Sequence, residues 1–213
     1  MHTHGDKYTK RDILSILQEN PNAQPDIDWF SRCIDFHFHP APGILIGVYM
    51  VDYALSLLHA QPTDKLYAVS ETTKCLPDAL QVIVHCTSGN HRLRILPIGR
   101  FAIAMNRFTD DNVVEGVRIG MDPSTLKDTP ALDAWFANSP TFEKHSMKKQ
   151  VVDEILKKGR NMLFYERIRI PITQKEKWET GFCSVCHEPV PSYLFEDGIC
   201  PGCGSLKYYD KIE

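Results

Sequence analysis

Four cysteines near the C-terminal end stand in two pairs, Cys183-Ser-Val-Cys186 and Cys200-Pro-Gly-Cys203, with thirteen residues between the pairs. Two residues between thiols let one tight turn bring both sulfurs to a tetrahedral ion at ~2.3 Å. Gly202 and Gly204 allow the backbone to turn its N–H groups toward those sulfurs, and Pro201 shapes the same knuckle. The spacing predicts a closed zinc site with Cys183, Cys186, Cys200 and Cys203 as ligands. A redox-active Cys-x-x-Cys pair or a rubredoxin-type iron centre is the alternative. His187 is read as a neighbouring surface group, since four thiolates fill the shell. Cys33, Cys75 and Cys86 bring the count to seven, and an odd number argues against a closed disulfide framework.

A second concentration of reactive side chains is Phe36-His37-Phe38-His39-Pro40-Ala41-Pro42-Gly43, just ahead of a long apolar run. Two histidines two apart in an extended segment point to one side and can reach one ion or substrate. Two more polar clusters, Cys75-Leu-Pro-Asp78-Ala79-Leu-Gln81 and Cys86-Thr87-Ser88-Gly89-Asn90, fall at the ends of expected elements. Each residue also has a plain structural reading. Cys33 and Cys86 suit small buried hydrophobes, Asp78 suits a helix N-terminus, and His85 suits a boundary position. No complete set of nucleophile, base and orienting group can be assembled from the sequence, so binding ranks above catalysis.

The elements that must position these groups follow from periodicity. Lys10–Gln18 fits a short helix stopped by Pro21 and Pro25. Ile44–Ala60 fits a helix buried on most sides, with Asp52, Ser56 and His59 as a narrow polar stripe. Lys65–Glu71 reads as a strand, and Pro77 opens a helix through Val84. Three strands, His91–Leu96, Phe101–Phe108 and Val113–Met121, are expected as an antiparallel meander. A short helix at Ala131–Ala137, a longer one at His145–Lys158 and a strand at Met162–Ile170 complete the core. Beyond Pro171 periodicity stops, which predicts a core domain at 1–174 and a ribbon module at 175–213. A module of ~40 residues without helix or strand periodicity needs a staple to fold.

Composition excludes several classes. The chain has 213 residues, 43% apolar and 24% charged, with a net charge of −3. That argues against disorder and against a basic nucleic-acid binder. The ribbon segment carries four lysines against seven acidic residues, and four thiolates would add more negative charge, so it repels phosphate. No apolar run reaches the ~18 residues of a membrane span. The start, Met1 to Lys7, lacks the apolar core of a secretory signal, so a cytoplasmic protein is expected. The apolar segments Ile44–Leu58 and Phe101–Phe108 suggest a homodimer.

In their order, these motifs resemble the FmdE-like family associated with formylmethanofuran dehydrogenase. Its members carry Phe-His-Gly-His-x-Cys-Pro-Gly, then Cys-x-x-Asp-Ala-x-Gln, then Cys-Thr-x-Gly-Asn, and many add a four-cysteine ribbon. The matching positions are Phe36, His37, His39, Pro42 and Gly43; Cys75, Asp78, Ala79 and Gln81; and Cys86, Thr87, Gly89 and Asn90. The chain departs from the pattern in having Phe38 for Gly and Ala41 for Cys. The resemblance implies an α+β core, a mixed or antiparallel sheet with packed helices as in the catalytic domain of glyceraldehyde-3-phosphate dehydrogenase. It also implies an accessory or regulatory role beside a molybdenum or tungsten enzyme, with that larger enzyme as partner. A small metal-dependent enzyme or a metal-trafficking protein is the alternative. Either would hold a second zinc or other divalent ion through His37, His39 and Cys75, with Asp78 and Asn90 close behind.

Overall fold

The structure, a computed structural model, describes residues 9–19, 25–111, 113–143, 146–171 and 177–212. The chain divides into two compact units, Met1–Ile172 and Thr173–Glu213. Residues 1–8, His145 and the 172–176 junction lie outside the described residues.

In the first unit, helix α1 (Lys10–Glu19) precedes α2 (Ile27–Phe36), an element not anticipated from the sequence. Asp26 caps α2 by accepting a hydrogen bond from the Asp28 N–H at 2.9 Å. Phe30, Cys33 and Ile34 form its buried face. Helix α3 (Pro42–Leu57) starts with Pro at its first position and is buried from Gly43 through Asp52 and again at Ala54 and Leu55. Its ring at Tyr49 meets Phe30 of α2 edge to face, with centroids 5.4 Å apart. Strand β1 (Leu66–Ser70) leads into α4 (Leu76–Val84), followed by β2 (Leu93–Ile95), β3 (Ala102–Arg107) and β4 (Val113–Met121). Helices α5 (Pro130–Phe136) and α6 (Lys148–Lys158) precede β5 (Leu163–Pro171).

The five strands run in the order β2-β1-β3-β4-β5. The expected meander is corrected here: β2 does not pair with β3. The chain crosses over through α4 and lays β2 parallel to β1 at the sheet edge, with Ala68 opposite Leu93. All other pairings are antiparallel. Alternation of Leu93 with Arg92 and Arg94 reports which face is buried, and says nothing of which strand is the partner. The sheet is mixed, as the α+β expectation allows.

The two faces of the sheet differ in kind. Ile103 and Met105 of β3 and Val117, Ile119 and Met121 of β4 point into the core shared with the helices. The opposite face carries Ala102, Gly120 and Phe164 in one register row and Ala104, Arg118 and Glu166 in the next. A Cβ at Gly120 would sit 2.7 Å from the Phe164 ring, so only glycine lets that ring lie across the sheet. The apolar segments that suggested dimerisation, α3 and β3, are consumed by the chain's own core. No helix among the described residues is long and apolar enough to cross a membrane.

One charge sits inside this core. Asp52 of α3 is buried and receives a 2.6 Å hydrogen bond from Arg160 Nε. Burial pushes the Asp52 carboxyl above its ordinary range against the pull of Arg160. Removing the guanidinium leaves an uncompensated buried carboxylate. Arg160→Ala should therefore lower unfolding free energy by ~3 kcal/mol, and adding Asp52→Asn should recover most of the loss. Urea unfolding of the two variants checks this.

Candidate functional site

In the second unit, β6 (Thr180–Phe182) and β7 (Pro189–Pro191) form a two-stranded antiparallel ribbon. Cys183 and Cys186 occupy the knuckle that links them. His187, with φ 61°, turns the chain back toward β7. Cys200 and Cys203 form the second knuckle, after a turn at Asp197 and Gly198. The four sulfurs all lie within 4.8 Å of one another. Cys186 and Cys200 are 3.9 Å apart, close to the ~3.8 Å edge of a tetrahedron with 2.3 Å metal–sulfur bonds.

The donor set fits a divalent ion in its electrostatics as well. Backbone N–H groups of Cys186, Cys200 and Val185 stabilise the Cys183 thiolate and pull that thiol down to about 6. Cys203 is pushed up to about 12 by burial and its neighbouring thiols. Four thiols packed this closely cannot all ionise without a cation among them.

The N-terminal cluster is built differently. His37 closes α2 as its C-cap, and Phe38 takes a left-handed φ of 67°. The His-x-His segment is thus a tight turn, not the extended stretch expected from sequence. The turn still sets the two imidazoles side by side, with centroids 4.9 Å apart. His37 Nδ1 lies 2.6 Å from Asp78 Oδ2, and His37 Nε2 lies 3.8 Å from Cys75 Sγ. A carboxylate only accepts, so Nδ1 carries the proton and Nε2 presents its lone pair to the thiol.

Cys75 sits at the centre of a turn closed by a 2.5 Å hydrogen bond from the Leu76 N–H to the Lys74 carbonyl. Its φ of 52° and ψ of −52° belong to the strained γ-turn region. The residue ends the loop after β1 and opens α4, so Asp78 stands one turn behind it. Gly43, second residue of α3, abuts this turn: a Cβ there would lie 2.8 Å from Cys75 Sγ. No side chain caps α3, so its positive end lies beside the sulfur. Burial, and then the Asp78 carboxylate, raise the Cys75 thiol above its ordinary value, so it rests protonated.

Among the described residues, the four ribbon cysteines are the one group of three or more potential ligands with all donor atoms within 4.8 Å. His37, His39 and Cys75 do not form such a group, and Ala41 stands where the family pattern has a cysteine. Asn90 is elsewhere employed. It bonds the Thr87 and Arg92 N–H groups and the His85 carbonyl, which fixes a turn. Cys33 is a fully buried side chain, and Cys86 donates to the Leu66 carbonyl. His85 is a left-handed helix end.

Beside Cys75 opens a cavity of about 910 Å³ that no motif in the sequence announces. The open face of the sheet lines it with Ala102, Arg118, Gly120 and Phe164, and Phe101, Trp135 and Phe136 add aromatic walls. Lys74 and Arg100 stand at its border. Buried Glu71 accepts from Arg118 at 2.7 Å and 2.9 Å and pairs with Arg100 at 2.7 Å. Arg118 also reaches Glu166 at 2.9 Å.

The mixed sheet under packed helices, joined to a four-thiol ribbon, defines an α+β protein that carries a small metal-binding module. The chain belongs to the FmdE family: residues 36–167 match the family described as "FmdE, Molybdenum formylmethanofuran dehydrogenase operon". It is similar to the crystal structure of an FmdE-like protein of tungsten formylmethanofuran dehydrogenase from Syntrophus aciditrophicus. That likeness has 30% identity and a TM-score of 0.73, and covers 85% of this chain and 94% of the other. A "Probable S-adenosyl-L-methionine-binding protein" of Archaeoglobus fulgidus is 25% identical over 199 residues, 83% of this chain. The match takes in 52% of that relative, so the chain spans about half its length.

Gly43→Ala should destabilise the first unit by ~1–3 kcal/mol, because its methyl must displace the Cys75 sulfur. Thermal unfolding and the rate of Cys75 alkylation should both change. An unaltered alkylation rate would mean that the close approach does not hold the thiol.

Proposed function

We propose that the protein is a cytoplasmic, zinc-binding accessory protein that works beside a larger molybdenum or tungsten enzyme. The observation that carries this reading is the four-sulfur cluster, whose spacing matches a closed tetrahedral zinc site. A closed site is structural, since no coordination position remains for substrate. The operon named in the family description supports the association with a dehydrogenase. Phe182, Val185, Tyr193, Leu206 and Tyr208 are exposed in the ribbon unit, a composition suited to protein contact. Its acidic balance speaks against nucleic acid. Free paired thiols suit a reducing compartment.

Metal analysis of the freshly purified chain tests the zinc assignment. One zinc per chain is expected, and Cys200→Ser should abolish it. Chelation should open residues 177–212 to protease while the first unit stays protected, because the ribbon has little core of its own. Iron in place of zinc, or no metal at all, contradicts the assignment. Affinity capture from the native host should recover a metal-pterin enzyme in stoichiometric amount; recovery of the chain alone counts against the accessory role.

A further inference from the structure

We propose that Cys75, His37 and Asp78 form a nucleophile–base–orienter set that performs acyl transfer on a ligand seated in the 910 Å³ cavity. This activity is separate from the ribbon and requires no metal. The geometry meets the three demands of such a set. The thiol lies 3.8 Å from the free imidazole nitrogen, a spacing usual before substrate draws the pair together. The other nitrogen is fixed by a carboxylate at 2.6 Å, which selects the tautomer that can accept a proton. The nucleophile stands on a strained turn between a strand and a helix, a position that presents a side chain at an opening. The uncapped start of α3 beside the sulfur supplies positive potential for charge that develops there.

The reaction balances without a further reagent. As Cys75 Sγ attacks a carbonyl carbon, its proton passes to His37 Nε2. The S–C bond forms, the bond to the leaving group breaks, and the leaving group departs with the proton from His37. Water then attacks the thioester carbonyl and gives its proton to His37, which returns it to the sulfur. The cavity selects the ligand: aromatic walls at Phe101, Trp135, Phe136 and Phe164 fit a flat or apolar acyl group, and Lys74 and Arg100 fit an anionic end. Glu71 holds Arg118 flat against the sheet, which keeps the floor clear. His37 and Cys75 touch the reacting atoms, and Asp78 acts through His37 as a positioning residue.

The test uses the zinc-loaded full chain with p-nitrophenyl acetate and p-nitrophenyl benzoate. A burst of one p-nitrophenol per chain is expected, with the acyl group mapped to Cys75 by peptide mass analysis. His37→Asn should slow acylation by ~100-fold or more. Asp78→Asn should slow it by ~10-fold or more at saturating ester, with the half-saturating concentration unchanged. A merely structural loss would shift both. The benzoate should saturate at lower concentration than the acetate, and Trp135→Ala should erase that difference. If Cys75→Ser fails to fold, the unaltered chain blocked at Cys75 with iodoacetamide serves in its place and should show no burst. Acylation elsewhere, rates indifferent to His37 and Asp78, or acceleration by excess zinc would overturn the proposal.

Discussion

The first unit depends on how closely α3 can approach α4. Gly43 and Gly47 lie four residues apart on one face of α3, and both meet α4 at distances that leave no room for a larger side chain. A Cβ at Gly43 would be 2.8 Å from Cys75 Sγ, and one at Gly47 would be 3.0 Å from the Ala79 Cβ. This contact brings three helix ends together. His37 ends α2, Gly43 starts α3 and Cys75 starts α4. The strained backbone at Cys75, costing ~1–3 kcal/mol, is held by that packing. Asp78 then needs only one helical turn to reach back to His37.

The two centres answer different physical demands. Ribbon thiols are crowded and enclosed, so their chemistry is to saturate an ion and give a short module a core. The Cys75 thiol has a single basic neighbour and opens toward a large cavity, so its chemistry is directed outward. The substitution at Ala41 fits this division. Without the cysteine that the family pattern places there, the cluster is short of thiolate ligands but keeps every group a nucleophile needs.

Local features of the sequence are legible and tertiary ones are not. Spacing alone locates the ribbon, because both knuckles are built from residues two and three apart. Periodicity finds α3, α4, α6 and most strands to within a few residues. Helix α2 escapes it although Trp29, Phe30, Cys33 and Ile34 recur at helical spacing behind Asp26; Pro21 and Pro25 dominate that stretch as chain breaks. The parallel pairing of β2 leaves no mark on alternation. His37, Cys75 and Asp78 each stand out by type, yet their separation of some forty residues hides the contact, and Asp78 is sufficient as a helix-start carboxylate. The cavity is invisible, since Gly120 and Ala102 make it by what they lack.

X-ray diffraction at the zinc edge from crystals grown with zinc distinguishes the two centres directly. The account predicts one anomalous peak, centred among Cys183, Cys186, Cys200 and Cys203, and none between His37 and Cys75. A second peak of comparable height bonded to His37 Nε2 and Cys75 Sγ would contradict it and make the N-terminal cluster a metal site.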